Sequence, residues 1–505
     1  MKKTLTIFTV IVISALSLSS CSKQGSGSGK AQAAELRYGL STEPVTFDPL
    51  NPANTADGRS ILFNVFEGLV KPDPSGALVP ALAESYEIEN DSSSYLFTLR
   101  PGVLFHNGEA LQADDVVFSL NEAIRAGFPG LDKIDKIEKI AGVEIASRQK
   151  IRVSLKEPDP EYLPYLTMGI VPEKNLDREK NPVGTGPFVI ENYAPQQNLI
   201  LVKNANYWQK DLPKLDKVTI VFVSDTNNLL LGLRGGNIEA AEITGAFLPQ
   251  LDLKQFETVP CYSNMVQLLA LNNAQKPFDD ERLRKALNYA LDVKGIIEAA
   301  FYGHGEPSGS PLIPGLKNIY NESLRDPYPR DIEKAKALMR EAGFPNGFSL
   351  EIAVPSVYTM HVDTAQVIVS QLSEAGINAS IRLVDWGTWL SEVYFGRKYQ
   401  ATIISLDANT VSPRSFLFRY VSGDNGNFIN YKNPEYDRVY KAALLEPDEK
   451  KRIALYKECQ RIISESAASV FIQDILGFRA FAADRFGGVV NYPLYVIDFA
   501  TMYRK

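Results

Sequence analysis

Between Tyr262 and Arg479 the apolar residues alternate between two spacings. MVQLLALNN (Met265–Asn273) is almost continuously apolar and predicts a buried strand. PFDDERLRKALNYALDVKGIIEAAF (Pro277–Phe301) places Leu283, Leu287, Ala290, Leu291 and Ile297 on one stripe at helical spacing, with Asp279 or Asp280 as cap. A single long helix is predicted. RDIEKAKALMREAGFPNG predicts another, started by Asp331, stopped by Gly343 and followed by Pro345. Then come SLEIAV, a strand; TAQVIVSQLSEAG, a helix ended by Gly376; ASIRLV, a strand; GTWLSEVYFG, a helix; and ATIISL, a strand. Strands alternating with helices point to a mostly parallel sheet covered by helices.

The first half is richer in strands. YLFTLRPGVLFHNG (Tyr95–Gly108) alternates apolar and polar positions around the turn pairs Pro101-Gly102 and Asn107-Gly108. LQADDVVFSLNEAI predicts a helix with Asp114 as cap and Val117, Leu120, Ala123 and Ile124 on its inner face. KVTIVFV, from Lys217, is a compact strand. The fold class expected is α/β or α+β in two or three lobes, because a mature body of this length exceeds the roughly 250–300 residues at which single cores stop growing.

The start of the chain belongs to export rather than to the fold. Met1, Lys2 and Lys3 precede an apolar run from Leu5 to Leu18, then Ser19, Ser20 and Cys21. That is the layout of a secretory signal, 1–20, too short to span a bilayer. Leu18-Ser19-Ser20-Cys21 resembles a lipobox, which makes Cys21 the expected lipid-bearing residue. The Gly/Ser-rich stretch through residue 34 then reads as a tether. Loss of Lys2 and Lys3 moves the formal charge from −7 to −9. An acidic body without a run of Lys and Arg is not built for nucleic acid. Beyond Cys21 the only cysteines are Cys261 and Cys459, as compatible with one disulfide as with two buried thiols.

Enzyme chemistry finds few candidates. His106, His304 and His361 stand apart from one another and from cysteine, so no metal ligand set forms and no cofactor is expected. The chain has no G-x-S-x-G elbow and no phosphate-cradling G-x-x-x-x-G-K-[ST] loop. Attention falls instead on the carboxyl ends of the predicted parallel strands, where open α/β sheets bind ligands. Three loops leave those ends: Pro355–Met360, Asp385-Trp386, and the stretch ISLDANTVSPRSFL (Ile404–Leu417) from Asp407 onward. Trp386 suits either a core or a pocket wall. Asp407 suits a turn cap or a ligand cation. Arg414 suits a ligand carboxylate, taken bidentately, or a protein acid.

One resemblance extends over nearly all of the mature chain. VPALAESYEIENDSSSYLFTLRPGVLFHNGEALQADDVVFSL, NPVGTGPFVIENY, NANYW, NNAQKPFDDERLRKALNYALD and NYKNPEYD occur in the order found in family 5 solute-binding proteins. These are the extracytoplasmic receptors of peptide/nickel-type ABC importers. The resemblance implies a two-lobed, periplasmic-binding-protein-like fold of cluster C, or type II. Lobe one would take 35–261 and 480–505, with an inserted subdomain at about 72–174; lobe two would take 262–479. The lobes would close on a ligand and present it to a membrane permease driven by a cytoplasmic ATPase, the receptor being a monomer. The Asp407 loop would line the cleft, with Thr42-Glu43-Pro44 facing it. Peptide-binding relatives often carry Trp at the place of Leu406 and Asp, for the peptide ammonium, at the place of Asn409. Pro355 stands where dipeptide receptors hold an arginine. The expected site is therefore Glu43, Trp386, Asp407, Asn409 and Arg414, and an oligopeptide is the expected ligand. A nickel chelate, an oligosaccharide, an opine-like compound, or a sensory or adhesive role on the same fold are the alternatives.

Overall fold

The computed structural model describes residues 33–505 apart from 55, 129, 141–148, 408–411 and 495. The signal segment, Cys21 and all but the end of the tether lie outside the described residues, as does Asn409.

Eleven strands make one mixed sheet. They are β1 (Glu35–Leu40), β2 (Phe188–Ala194), β3 (Asn198–Lys203), β4 (Lys217–Phe222), β5 (Ala240–Thr244), β6 (Phe256–Leu271), β7 (Gly305–Pro307), β8 (Ser349–Pro355), β9 (Asn378–Val384), β10 (Ala401–Asp407) and β11 (Ser469–Ala482). Their order across the sheet is β9-β8-β10-β6-β11-β5-β1-β4-β3-β2, with β7 added beside β11. β8 runs parallel to both β9 and β10, and β1 runs parallel to β4 and β5.

Two long antiparallel strands in the middle, β6 and β11, carry the sheet from one core to the other. Leu476–Ala482 of β11 pairs with Phe256–Tyr262 of β6, and Ser469–Asp474 pairs with Val266–Ala270. Between these halves the register slips, and Asn264 takes the left-handed conformation (φ 56°). An unpaired residue in a ladder bends the strand there. On one side of the slip lies a core built from Leu36, Tyr38, Phe97, Phe188, Ile220 and Phe481. On the other, alternate β6 residues feed two cores, one on each face: Val266, Leu268 and Ala270 on one, Leu269 and Leu271 on the other. This is the period-2 alternation of a strand buried on both faces.

A second sheet is inserted after β1. Its strands, in order, are Ala83–Glu89, Ser94–Leu99, Lys150–Leu155 and Ile134–Ile140, packed by the helix Ala113–Arg125 and continuous with the first core. That helix starts differently from expectation. Gln112 is the cap, and Asp115 rather than Asp114 closes it by accepting the Gln112 N–H at 2.8 Å. Val116, not Val117, faces inward with Leu120 and Ala123.

The expected single helix over Pro277–Phe301 is two, Glu281–Ala290 and Val293–Phe301. Leu291 is extended, and the Asp292 carboxylate accepts from the Gly295 N–H at 3.0 Å while its own N–H donates to Gln371 Oε1 at 2.7 Å. An aspartate that caps a new first turn beats the propensity of its neighbours to continue the old one. The apolar stripe survives because both helices lie on one core: Leu283, Leu287, Leu291 and Ile297 are all buried.

Cys261 and Cys459 are both free and buried. Burial raises both thiols, Cys459 to about 12, so neither forms the reactive thiolate near neutrality. Alkylation of native protein is expected to spare both, and denaturation to release both, as peptide mapping would read.

Candidate ligand-binding site

Parallel pairing brings the carboxyl ends of β8, β9 and β10 to one edge, at Pro355, Val384 and Asp407. That edge adjoins the slip in β6, since Asp407 pairs with Met265.

Two of the three loops interlock. The Ser356 N–H donates to Val384 O at 2.8 Å. Asp385 caps the next turn, accepting from the Thr388 N–H at 3.0 Å and the Thr388 hydroxyl at 2.6 Å, and these bonds hold its carboxyl below the usual range. The cap aims Trp386 at its neighbour: its ring stacks on Trp389 with centroids 5.1 Å apart and planes 5° from parallel. Tyr358 meets Trp386 edge-on at 5.5 Å. Trp389 is buried and fixed, its Nε1–H donating to Thr402 Oγ1 at 3.0 Å, whose hydroxyl donates to Ala353 O at 2.7 Å. Trp386 remains 39% exposed, with Tyr358 and Met360 similarly open. An indole with a bolted backing and an open face is a preorganised apolar surface, at little entropic cost to a ligand.

Beneath it lies a polar layer. Gln267 Nε2 donates to His361 Nδ1 at 3.1 Å and to Thr364 Oγ1 at 3.0 Å, while Gln267 Oε1 accepts from Gln473 Nε2 at 2.9 Å. His361 is buried, which drops its imidazole to about 4 and keeps it neutral. This layer ties β6 and β11 to the helix Thr359–Glu374 that follows the Tyr358 loop.

The other expected site residues are dispersed. Asp407 is exposed, and its backbone carbonyl accepts from Arg419 Nη2 at 3.1 Å. Glu43 is engaged within the first half: its carboxylate accepts from the Tyr193 hydroxyl and, at 2.9 Å, from the Gln196 N–H. Burial and Glu43 together push the Tyr193 hydroxyl up to about 12. Arg414 opens the helix Arg414–Leu417 and is buried. Its guanidinium grips Asp159 with both terminal nitrogens, one at 2.7 Å, and Nε reaches Glu161 Oε2 at 3.4 Å. Sequence reasoning passed over Tyr358 and the fixing of Trp389. The Asp385-x-x-Thr388 spacing of an N-cap was a usable signal for the turn that orients Trp386.

Among the described residues no cluster of His, Cys, Asp or Glu is placed to hold a metal, and no helix is long and apolar enough to cross a membrane. A small hollow bounded by Asn288, Ser308, Arg325, Tyr328 and Ser464 contains none of the three loops.

The chain resembles known proteins in sequence and in fold. Residues 77–428 match the family described as bacterial extracellular solute-binding proteins, family 5, middle. The chain is 28% identical to heme-binding protein A of Haemophilus influenzae, over 98% of this chain and 97% of that one. It is 30% identical to the glutathione-binding protein GsiB of Salmonella typhi, over 83% and 84%. Among solved structures, the ABC transporter-associated periplasmic binding protein DppA of Helicobacter pylori, in complex with the peptide STSA, superposes with a TM-score of 0.73 at 26% identity, covering 93% of this chain and 98% of that one.

Proposed function

The chain belongs to the family 5 bacterial extracellular solute-binding proteins, substrate-binding receptors of ABC importers, and from that premise we propose that it captures an oligopeptide between two lobes. Lobe one comprises 35–261 and 480–505 with the insertion at about 72–174, lobe two comprises 262–479, and the hinge is the slip in β6 near Asn264. The observation that carries the reading is the half-open Trp386–Tyr358 surface, backed by buried Trp389, at the carboxyl ends of three strands. A peptide side chain packs on the indole, while backbone groups at the edge of β10 read its main chain as an added strand would. Asp407 meets a cationic or polar ligand group. The receptor is held at the membrane through lipidated Cys21 and delivers to a permease without chemistry of its own. A peptide complex of one relative supports the ligand class.

A second reading follows from the same indole. A flat apolar face also suits a planar ligand, and one relative, matched over 98% of this chain, is a heme-binding protein.

Native mass spectrometry of freshly purified protein separates the readings. A ladder of peptide masses supports the first, a single porphyrin mass the second. Trp386→Ala is expected to lower occupancy at least roughly ten-fold, the equivalent of one buried aromatic contact. Unchanged occupancy would take Trp386 out of the site.

A further inference from the structure

We infer that Arg414 is a latch that holds the inserted subdomain against the second lobe. The inference rests on the two-lobed closure proposed above and specifies the contact that regulates it. Arg414 belongs to the half that carries the Trp386 surface, whereas Asp159 and Glu161 follow Lys150–Leu155, the last strand of the inserted sheet in chain order. The three groups meet in a dry junction, with Arg414 8% and Asp159 5% exposed. A second tie runs parallel to the first: Tyr456, itself buried, donates its hydroxyl to Glu161 Oε2 at 2.5 Å. The Tyr165 ring of the subdomain lies 5.9 Å from the Arg414 guanidinium, and Leu78 packs against the second core.

Four features make this a latch and not a fixed rivet. Its partners lie 255 and 253 residues apart, so no local chain holds them together. The guanidinium–carboxylate fork is directional, so it forms at one alignment of the two surfaces. The desolvation cost of burying these ions offsets much of their attraction, so the junction adds alignment more than strength and can release into water. Lys133 Nζ stays on Asp159 at 3.0 Å from the subdomain's own side, so that carboxylate keeps a partner when Arg414 leaves. Arg419 then links the latch to the candidate site: one guanidinium donates to Ser415 O in the latch helix and to Asp407 O at the end of β10. Ligand contacts at that strand end and the Arg414 junction are therefore mechanically joined, and a solute that favours the latched state shifts the equilibrium by its difference in affinity for the two states.

The test is a distance measurement by pulsed dipolar spectroscopy. Spin labels go on the exposed positions Glu87 and Lys450 through Glu87→Cys and Lys450→Cys, one on each side of the junction, with a tryptic casein digest as the peptide probe. Arg414→Met alone would leave the Glu161 carboxylate without a cation in the junction, so the informative variant combines it with Asp159→Asn and Glu161→Gln, which removes the charges together. Without peptide, the variant is expected to populate the longer separation roughly ten-fold more than the parent, with its circular dichroism unchanged. Superimposable distributions for variant and parent, while the parent still shortens on addition of peptide, overturn the latch and leave closure standing. A parent that ignores every addition while the variant opens overturns peptide-driven closure and leaves the latch standing. No movement in either sinks both.

Discussion

Acidification from neutrality to about pH 4 is expected to cost the fold roughly 6 kcal/mol, read as a falling urea midpoint. Two of the three histidines are responsible. His106 sits between Gly184 and Gly186: the Gly184 N–H donates to Nδ1 at 3.3 Å, and Nε2–H donates to Gly186 O at 3.0 Å. Burial lowers its imidazole to about 4 against the opposing pull of that carbonyl, and burial alone does the same for His361. In the unfolded chain both return to about 6.5. Between those values the unfolded state binds two protons that the native state refuses, so stability rises with pH across that window and is lost as pH falls through it. A shift of that size is worth about 3 kcal/mol for each ring. Carboxyls held low by arginine, such as Glu89 by Arg152 and Glu322 by Arg325, begin to add their losses only at the acid end of that window, near the ordinary carboxylate value of 4.5, and go on below it. Asp115, raised by burial, works in the opposite sense. Replacing both rings, His106→Gln with His361→Gln, should flatten the profile from pH 6.5 to 4. An unchanged slope in that variant would show that other groups carry the acid sensitivity.

Glu67→Ala is expected to destabilise the first core by about 4 kcal/mol. Glu67 is buried, and its carboxylate accepts from the Tyr207 hydroxyl at 2.8 Å, Trp208 Nε1–H at 2.8 Å and the Thr185 hydroxyl at 3.2 Å. Lys71 stands 3.5 Å away, and Arg100 covers the Trp208 ring at 4.1 Å. Removing the acceptor leaves three donors with no partner, each costing ~1–3 kcal/mol when buried. Burial and Glu67 together push the Tyr207 hydroxyl far up, so it stays a donor throughout. Glu67→Gln retains one acceptor oxygen and should recover part of the loss. A cost below about 1 kcal/mol for Glu67→Ala, by urea titration, would mean that water replaces the carboxylate.

This cluster also explains two of the sequence motifs. Thr185 lies in NPVGTGPF and Trp208 ends NANYW. A Cβ on Gly184 would lie 2.0 Å from Val65 O, and one on Gly186 2.6 Å from Asn64 O. The segment passes so close to another backbone that no side chain fits at either position. Motifs that identify the family are, in these cases, scaffold for the first core.

The strands Ser349–Pro355, Asn378–Val384 and Ala401–Asp407, the helix Thr359–Glu374, the capping aspartates Asp280 and Asp331, and the stop at Gly343 were legible because each depends on neighbours within a few residues. Apolar spacing also marked β8, β9 and β10 as strands of one sheet whose carboxyl ends share an edge. The partner of a charge was not legible. Arg414, read along the chain, has no acid nearer than Asp407, yet it grips Asp159 and Glu161 from another sheet. Whether the Trp386 indole is core or surface was equally closed to sequence, because Trp389 fills the inner position three residues on and leaves Trp386 stacked above it. Local chemistry in the sequence determined the elements, their caps and the edge where three loops emerge. Which distant groups meet across that edge was decided by tertiary packing alone, since burial and ion pairing act through space between segments that chain order leaves hundreds of residues apart.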